Sequence, residues 1–296
     1  MDKPPLEVMR ARYSCRAYLP KPLDDWTQAG LRARLEGLRA GPFGGRVRFL
    51  LAAAAAGDER EIKGLGTYGN IRNPQAFIIG AVGSGTGDLE DFGYLMEKAV
   101  LAAVDLGLAT CWLGGGFRQS RFAAKIGVAG NETVPAVVSV GYPADASHPG
   151  GLQGFFSGRT SRLAPDKLFF SPDFGRPLGP GEGGPLGPAL EAVRWGPSAS
   201  NKQPWRIVRA GRLWHFYLQR TKGYGNGLLN RIMGTADLQR VDLGIAMSHF
   251  ELAARELGAV GTWLSADPGL ALPDDLTGYT ATWREAVPAG PESEGR

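Results

Sequence analysis

The stretch DFGYLMEKAVLAAVDLGLATCWL at 91–113 recurs as DLGIAMSHFELAARELGAVGTWL at 242–264, at a constant offset of 151 residues without a gap. Asp91 stands against Asp242, Gly93 against Gly244, Met96 against Met247 and Trp112 against Trp263. Two unrelated helices can share an apolar spacing, but rarely Gly, Asp and Trp as well. Upstream, LEGLRAGP at 35–42 matches LEAVRWGP at 190–197, at an offset of 155. A long period present only twice implies two related halves rather than a solenoid. Such a chain can fold as a pseudo-dimer, each half filling the place of a symmetry mate. The segment SPDFGRPLGPGEGGPLGP at 171–188 is rich in Pro and Gly and reads as a linker crossing the surface. The expected division is therefore a first half at 1–170, a linker at 171–188 and a second half at 189–296, with a frayed tail from 287.

The pattern within each half predicts an early helix, a loop and then a strand. Helices are expected at about 25–40, 89–107, 188–195 and 240–257, and strands at 46–53, 76–82, 135–141, 205–209 and 213–219. Leu106-Gly107 and Leu257-Gly258 are the stop signals of the two long helices. The fold class is α/β, with helices and strands in α+β layers.

The chain carries 33 Lys+Arg against 29 Asp+Glu, a mildly basic balance that suits a small anionic ligand better than a polyanion. No basic run with interleaved aromatics is present, so no nucleic-acid partner is expected. Cys15 and Cys111 form no Cys-x-x-Cys pair, and His148, His215 and His249 are far apart in sequence, so neither a metal site nor a disulfide scaffold is expected. The start MDKPPLEVMRAR lacks the apolar core of a signal peptide, and FLLAAAAAG at 49–57 is too short to span a bilayer. The expectation is a cytoplasmic protein with no membrane partner.

Three polar groups are candidate binding residues. In RYSCR at 12–16, Arg12, Ser14 and Arg16 alternate, so in extended chain they point the same way, and forked guanidinium donors match phosphate oxygens. SGRTSR at 157–162 adds Arg159 and Arg162, either as a plain surface turn or as a neighbour of the first group. GPSASNKQPW at 196–205 offers Ser198, Asn201 and Gln203, donors and acceptors suited to the edge of a flat heterocycle, and leads into a strand. Its counterpart, GPFGGRVRF at 41–49, lacks those groups, while the second half lacks an Arg-x-Ser-x-Arg before its first helix. Each half keeps what the other lacks, which implies one composite site. The glycines in AFIIGAVGSGTGDLED at 76–91 fit neither a dinucleotide fingerprint nor a P-loop. Cys15 lies beside two arginines that could lower its pKa, though packing is the expected role, as it is for Trp205.

In these residues the chain resembles the flavin-dependent nitroreductases, in a branch where two subunits are fused into one. RYSCRAYLPKPL at 12–23 is similar to that family's flavin-phosphate motif, PSASNKQPW at 197–205 to its flavin-edge motif, and MEKAVLAAVDLGLATCWLGGGF at 96–117 to its central helix and the loop beneath the ring. The resemblance implies one FMN per chain and reduction by NAD(P)H. The electrons would pass to a small electron-poor acceptor such as a nitroaromatic or a quinone. It also implies a monomer that contains its own pseudo-dimer interface. Carried over by position, the phosphate contacts are Arg12, Ser14 and Arg16, with Tyr13 contributing its backbone near the flavin tail and Arg159 and Arg162 as a late basic pair. The ring-edge contacts are Pro197, Ser198, Ala199 (where the family often has Ser), Asn201 and Gln203. Leu113, Gly114 and Gly115 would lie beneath the ring, and Asn70 and Arg72 of YGNIRNP complete the set. The resemblance assigns no dedicated acid, base or nucleophile. A flavin carrier or sensor without turnover, and a flavin-free homologue, are the alternatives.

Overall fold

A computed structural model of the chain describes residues 1–54, 60–67, 69–115, 119–144, 161–223 and 236–287. The first half contributes α1 (Pro5–Ala11), α2 (Asp25–Glu36), β1 (Val47–Ala53), α3 (Arg60–Leu65), β2 (Ala76–Gly83), α4 (Asp88–Asp105), β3 (Ala109–Leu113), α5 (Gln119–Ile126), β4 (Glu132–Thr133) and β5 (Val137–Gly141). After these come β6 (Phe169–Phe170), α6 (Gly187–Trp195), β7 (Trp205–Ala210), β8 (Leu213–Gln219), α7 (Leu238–Glu256), β9 (Gly261–Leu264) and β10 (Thr277–Glu285).

The strands form two sheets of matching design. The first runs β1-β2-β5-β3, with β4 beside β2, and is antiparallel throughout. The second runs β6-β7-β8-β10-β9, antiparallel except for the parallel pair β6–β7. Laid over one another, β1 corresponds to β7, β2 to β8, β5 to β10 and β3 to β9. The fold is the mixed α+β arrangement of two tandem halves expected from the repeat.

The two long helices lie at the centre of the molecule. Their residues are buried almost from end to end, because each packs against the other as well as against its own sheet. They touch through reciprocal glycines. A Cβ on Gly93 would collide with the carbonyl oxygen of Val241, and a Cβ on Gly244 with that of Glu90. Gly93 and Gly244 are partners in the sequence repeat, and so are Glu90 and Val241, so this contact is the self-complementary one of a two-fold interface. Both helices end as expected, with Gly107 and Gly258 at φ of 81° and 83°.

The sequence pattern placed β1, β2, β5, β7, β8 and the four longest helices within a few residues, but missed the short helices α1, α3 and α5 and the strands β3, β4, β6, β9 and β10. The run ATCWL of β3 is short and, with Thr110 its one polar residue, shows no sustained alternation, so it reads as loop after the helix stop at Gly107. The linker is ordered, with Arg176 held to Ser171 O at 2.7 Å and to Glu182 at 2.9 Å. Strand β6, counted with the first half, pairs with Ile207 and Val208 of the second sheet. Phe169 and the preceding Leu168 are buried there, which explains why an apolar run ends the first half.

Candidate functional site

The first polar group forms along β3. After α1 the chain runs extended: Ser14 bridges Thr110, Cys15 N donates to Thr110 O at 2.8 Å, and Ala17 bridges Arg72. Arg72 N donates to Arg16 O at 2.8 Å, and Tyr18 N to Arg72 O at 3.0 Å. This ladder puts Arg12, Tyr13, Ser14, Arg16 and Arg72 along one sheet edge, beside β3, whose last residue Leu113 is followed by Gly114 and Gly115. Arg12 is buried, whereas Arg16 and Arg72 are exposed and form no ion pair among the described residues. Asn70 lies two residues before Arg72, with its N–H donating to Thr67 O at 3.0 Å. Cys15 and Cys111 lie close to this edge. The lowering that neighbouring arginines could cause at Cys15 does not occur: burial pushes both thiols up, although Arg16 hydrogen-bonds Cys111. Both are buried packing residues.

The second group is the loop before β7. Asp242, buried on α7, accepts the Ala199 N–H on both carboxylate oxygens, at 2.9 and 3.1 Å. Ser198 Oγ accepts the Gln203 N–H at 2.9 Å. Between these ties the backbone is left-handed at Ser200, Asn201 and Gln203, with φ of 49°, 54° and 49°. Positive φ at three non-glycine residues is costly, and such strain collects where a loop must hold one shape. The side chains face 161–163: Asn201 Nδ2 donates to Ser161 O at 2.9 Å, Arg162 Nη1 to Asn201 Oδ1 at 2.9 Å, and Leu163 N to Gln203 Oε1 at 2.9 Å. Arg162 also donates to Trp195 O, so it stands with the ring-edge group rather than beside Arg12. Arg159 lies outside the described residues.

The first half carries the same anchor. Asp91, the repeat partner of Asp242, accepts the Phe43 N–H at 2.9 Å and the Gly45 N–H at 2.6 Å. Each central helix thus holds the Gly-Pro loop of its own half through one buried aspartate. Two contacts join the polar groups across the halves. Gly114 packs so tightly on Leu238, in the first turn of α7, that a Cβ there would strike the leucine side chain. Asp242 follows one turn later. From the other side, α1 packs on α6 and α7, with the Arg10 guanidinium 4.9 Å from the centre of the Trp195 ring.

A family model described as "Putative TM nitroreductase" matches residues 6–169 and 184–254. The chain belongs to this nitroreductase family. It is accordingly an oxidoreductase of the nitroreductase type. Among solved structures, one described as a putative nitroreductase from Thermotoga maritima is 18% identical, with a TM-score of 0.58 over 96% of this chain and 94% of that one. At that identity the likeness is one of fold. A nitroreductase family protein from Clostridium difficile is 16% identical, with a TM-score of 0.43 over 56% of this chain and 96% of its own. A structure described as a putative nitroreductase in complex with FMN, from Desulfovibrio desulfuricans, is 20% identical, with a TM-score of 0.39 over 49% of this chain and 89% of its own. None of the curated proteins matches the sequence. No helix among the described residues is long and apolar enough to cross a membrane.

Three residues that shape this candidate site escaped the sequence reading. Asp242 and Asp91 were already aligned as repeat partners, and two aspartates retained inside buried helices are the signal that could have marked them. Arg206 donates to Gln203 O at 3.0 Å and to Trp205 O at 2.6 Å, holding the left-handed loop from its far end. Burial pulls its pKa down to about 10. In the sequence it looks like any polar residue of an alternating strand.

Proposed function

We propose that the chain binds one FMN between its halves. Its reaction would pass hydride from NAD(P)H to a small electron-poor acceptor such as a nitroaromatic or a quinone. The observation that carries this reading is the set of guanidiniums on the β3 edge. Arg16 and Arg72 are exposed without an ion pair among the described residues, next to buried Arg12. Such a donor set fits a phosphate dianion, and each charge-assisted bond contributes about 1.5–3 kcal/mol. Arg12, Ser14, Arg16 and Arg72 would hold the phosphate, with Arg159 and Asn70 near it. Pro197, Ser198, Ala199, Asn201 and Gln203 would meet the ring edge, and Leu113, Gly114 and Gly115 would lie beneath it. A Cβ on Gly115 would meet nothing, so that side of the loop has room for a flat ring.

The bound flavin would supply the two-electron chemistry, and the protein's part is placement and electrostatics. Preset donors on the 198–203 loop would stabilise negative charge that develops at the ring edge. The anchors at Asp242 and Arg206 would keep those donors from relaxing when the charge appears. We further propose that the chain is divided at 1–170, 171–188 and 189–296. On this reading it works in the cytoplasm as a monomer, its dimer interface being the α4–α7 contact.

The visible spectrum of purified, desalted protein, followed by addition of FMN, tests this reading. Flavin bands at one equivalent per chain, and turnover of reduced nicotinamide with a nitroaromatic, are expected. One observation favours a second reading, a flavin carrier or a flavin-free homologue. The amides of Asn201 and Gln203 are already bonded to residues 161–163. Flavin bands without turnover would select the carrier, and a colourless protein that takes up no FMN would select the flavin-free homologue.

A further inference from the structure

The two sheets differ at one edge. In the second, β7 is covered by β6, which runs parallel to it, with Ile207 N donating to Leu168 O at 2.9 Å. In the first, no strand among the described residues lies beyond β1, the counterpart of β7. Instead a groove of about 360 Å³ runs between β1 and α2. Its floor is apolar, from Leu35, Val47 and Leu51, and its rim carries Arg32, Arg39, Arg46 and Arg48 against a single acid, Glu36. Leu51 O faces this edge, since it accepts Arg32 Nη1 at 3.1 Å. By the two-residue alternation of a strand, the N–H and C=O of Phe49 face it too.

We propose that this edge is a docking site for an extended acidic segment of a protein partner, added parallel to β1 as β6 is added to β7. The molecule itself shows how such an edge is filled: by a short apolar strand whose backbone completes the ladder and whose side chains bury beside the helix. Strand addition draws affinity from main-chain hydrogen bonds and specificity from the pockets beside them. Here the specificity is one of charge. Arg48 is neutralised by Glu132, at 2.6 and 2.8 Å, but Arg46 is exposed and makes no ion pair among the described residues. Arg32 and Arg39 bond to carbonyl and amide oxygens and keep their charge unbalanced. Glutamates flanking an apolar core would meet these cations. A second copy of β1 would instead set Arg46 and Arg48 against their own images, which disfavours self-pairing.

The test uses the full chain and a fluorescein-labelled peptide, acetyl-Glu-Glu-Leu-Phe-Phe-Glu-Glu-amide, read by fluorescence anisotropy. Saturable, salt-sensitive binding is expected. The peptide with lysines for glutamates should not bind, and Arg46→Glu should weaken the acidic peptide roughly fivefold or more. A version N-methylated on alternate residues tests the backbone without altering the protein, and it should lose binding. Three results would overturn the proposal. The first is no saturable binding of the acidic peptide. The second is equal binding of the N-methylated peptide, which would assign the groove to anionic side chains alone. The third is sedimentation of the chain as a dimer to which the acidic peptide no longer binds, which would assign the edge to a second copy.

Discussion

The loop at 41–45 and the loop at 196–203 hang from the same anchor and end in different chemistry. Asp91 holds the first by two backbone N–H groups, and Asp242 holds the second by one, taken on both oxygens. The first is closed by glycines and a phenylalanine. The second is stretched through three left-handed residues and carries Ser198, Asn201 and Gln203. The scaffold is therefore symmetric and the decoration is not. On the proposed function, a duplicated frame needs both anchors for stability but only one of its two loops for ligand binding.

The largest expected effect tests the symmetry itself. Gly93→Ala and Gly244→Ala each drive a methyl group into the backbone of the facing helix, where no side chain can move aside. Each should cost about 3 kcal/mol in urea unfolding, the upper range for overpacking. The two values should agree closely, because the contacts are reciprocal. A large loss at one glycine and none at the other would show that the helix pair is not the two-fold interface described here.

Next comes the pair of anchors. Asp91→Ala and Asp242→Ala each leave buried N–H groups unsatisfied, at about 1–3 kcal/mol. Stability should fall in both. FMN affinity should fall about tenfold in Asp242→Ala alone, as the ring-edge loop relaxes. Asp242→Asn keeps an oxygen for the Ala199 N–H and should restore most of the binding. Equal loss of flavin in the two alanine variants would remove the functional asymmetry between the loops.

Single ligand contacts should matter less for the fold. Arg16→Ala and Asn201→Ala are each expected to weaken FMN binding by roughly tenfold, the size of one charge-assisted or buried hydrogen bond. The melting temperature should barely change for Arg16, which is exposed. For Asn201 it should drop slightly, because the bonds to Ser161 and Arg162 are lost. If both variants bind flavin as the parent does, the composite site is wrong, whatever the fold.

The repeat made the frame legible. Gly93 with Gly244 and Asp91 with Asp242 could be paired on the sequence because packing demands the same small or anchoring residue twice. The polar groups stood out too, as hydroxyls, amides and arginines gathered before a strand, although Asn201, Gln203 and Arg162 also serve the fold by bonding one another and residues 161–163. What could not be read was depth and direction. Arg12, Ser14 and Arg16 alternate in sequence, yet Arg12 is buried and Arg16 exposed, because α1 folds over the first of them onto α6 and α7. Arg162 turned to Asn201 and Trp195 rather than to Arg12 for the same kind of reason: its partners come from the other half. That no strand among the described residues lies beyond β1 is a property of sheet order, which local pattern does not encode.

The smallest effect separates the anchors by pH. Burial raises the Asp91 pKa from 3.8 to about 6, against the two N–H groups that favour its charged form. The folded state therefore holds a proton that the unfolded state has released between these two values, so stability falls as pH rises through that window. The contribution of this one group is complete below about pH 4 and gone above about pH 6, a total of about 3 kcal/mol at most. Asp91→Asn cannot titrate, and its stability should be flatter over the same window, read as urea midpoints at half-unit steps. Asp242 is raised in the same direction, again by burial. The Asp91→Asn chain should therefore retain a slope of the same sign, which the double variant with Asp242→Asn removes. A parent chain whose midpoint rises between pH 4 and 6, with Asp91→Asn rising in parallel, would mean that Asp91 is held charged by its loop. The difference between the two anchors would then lie in the loops alone.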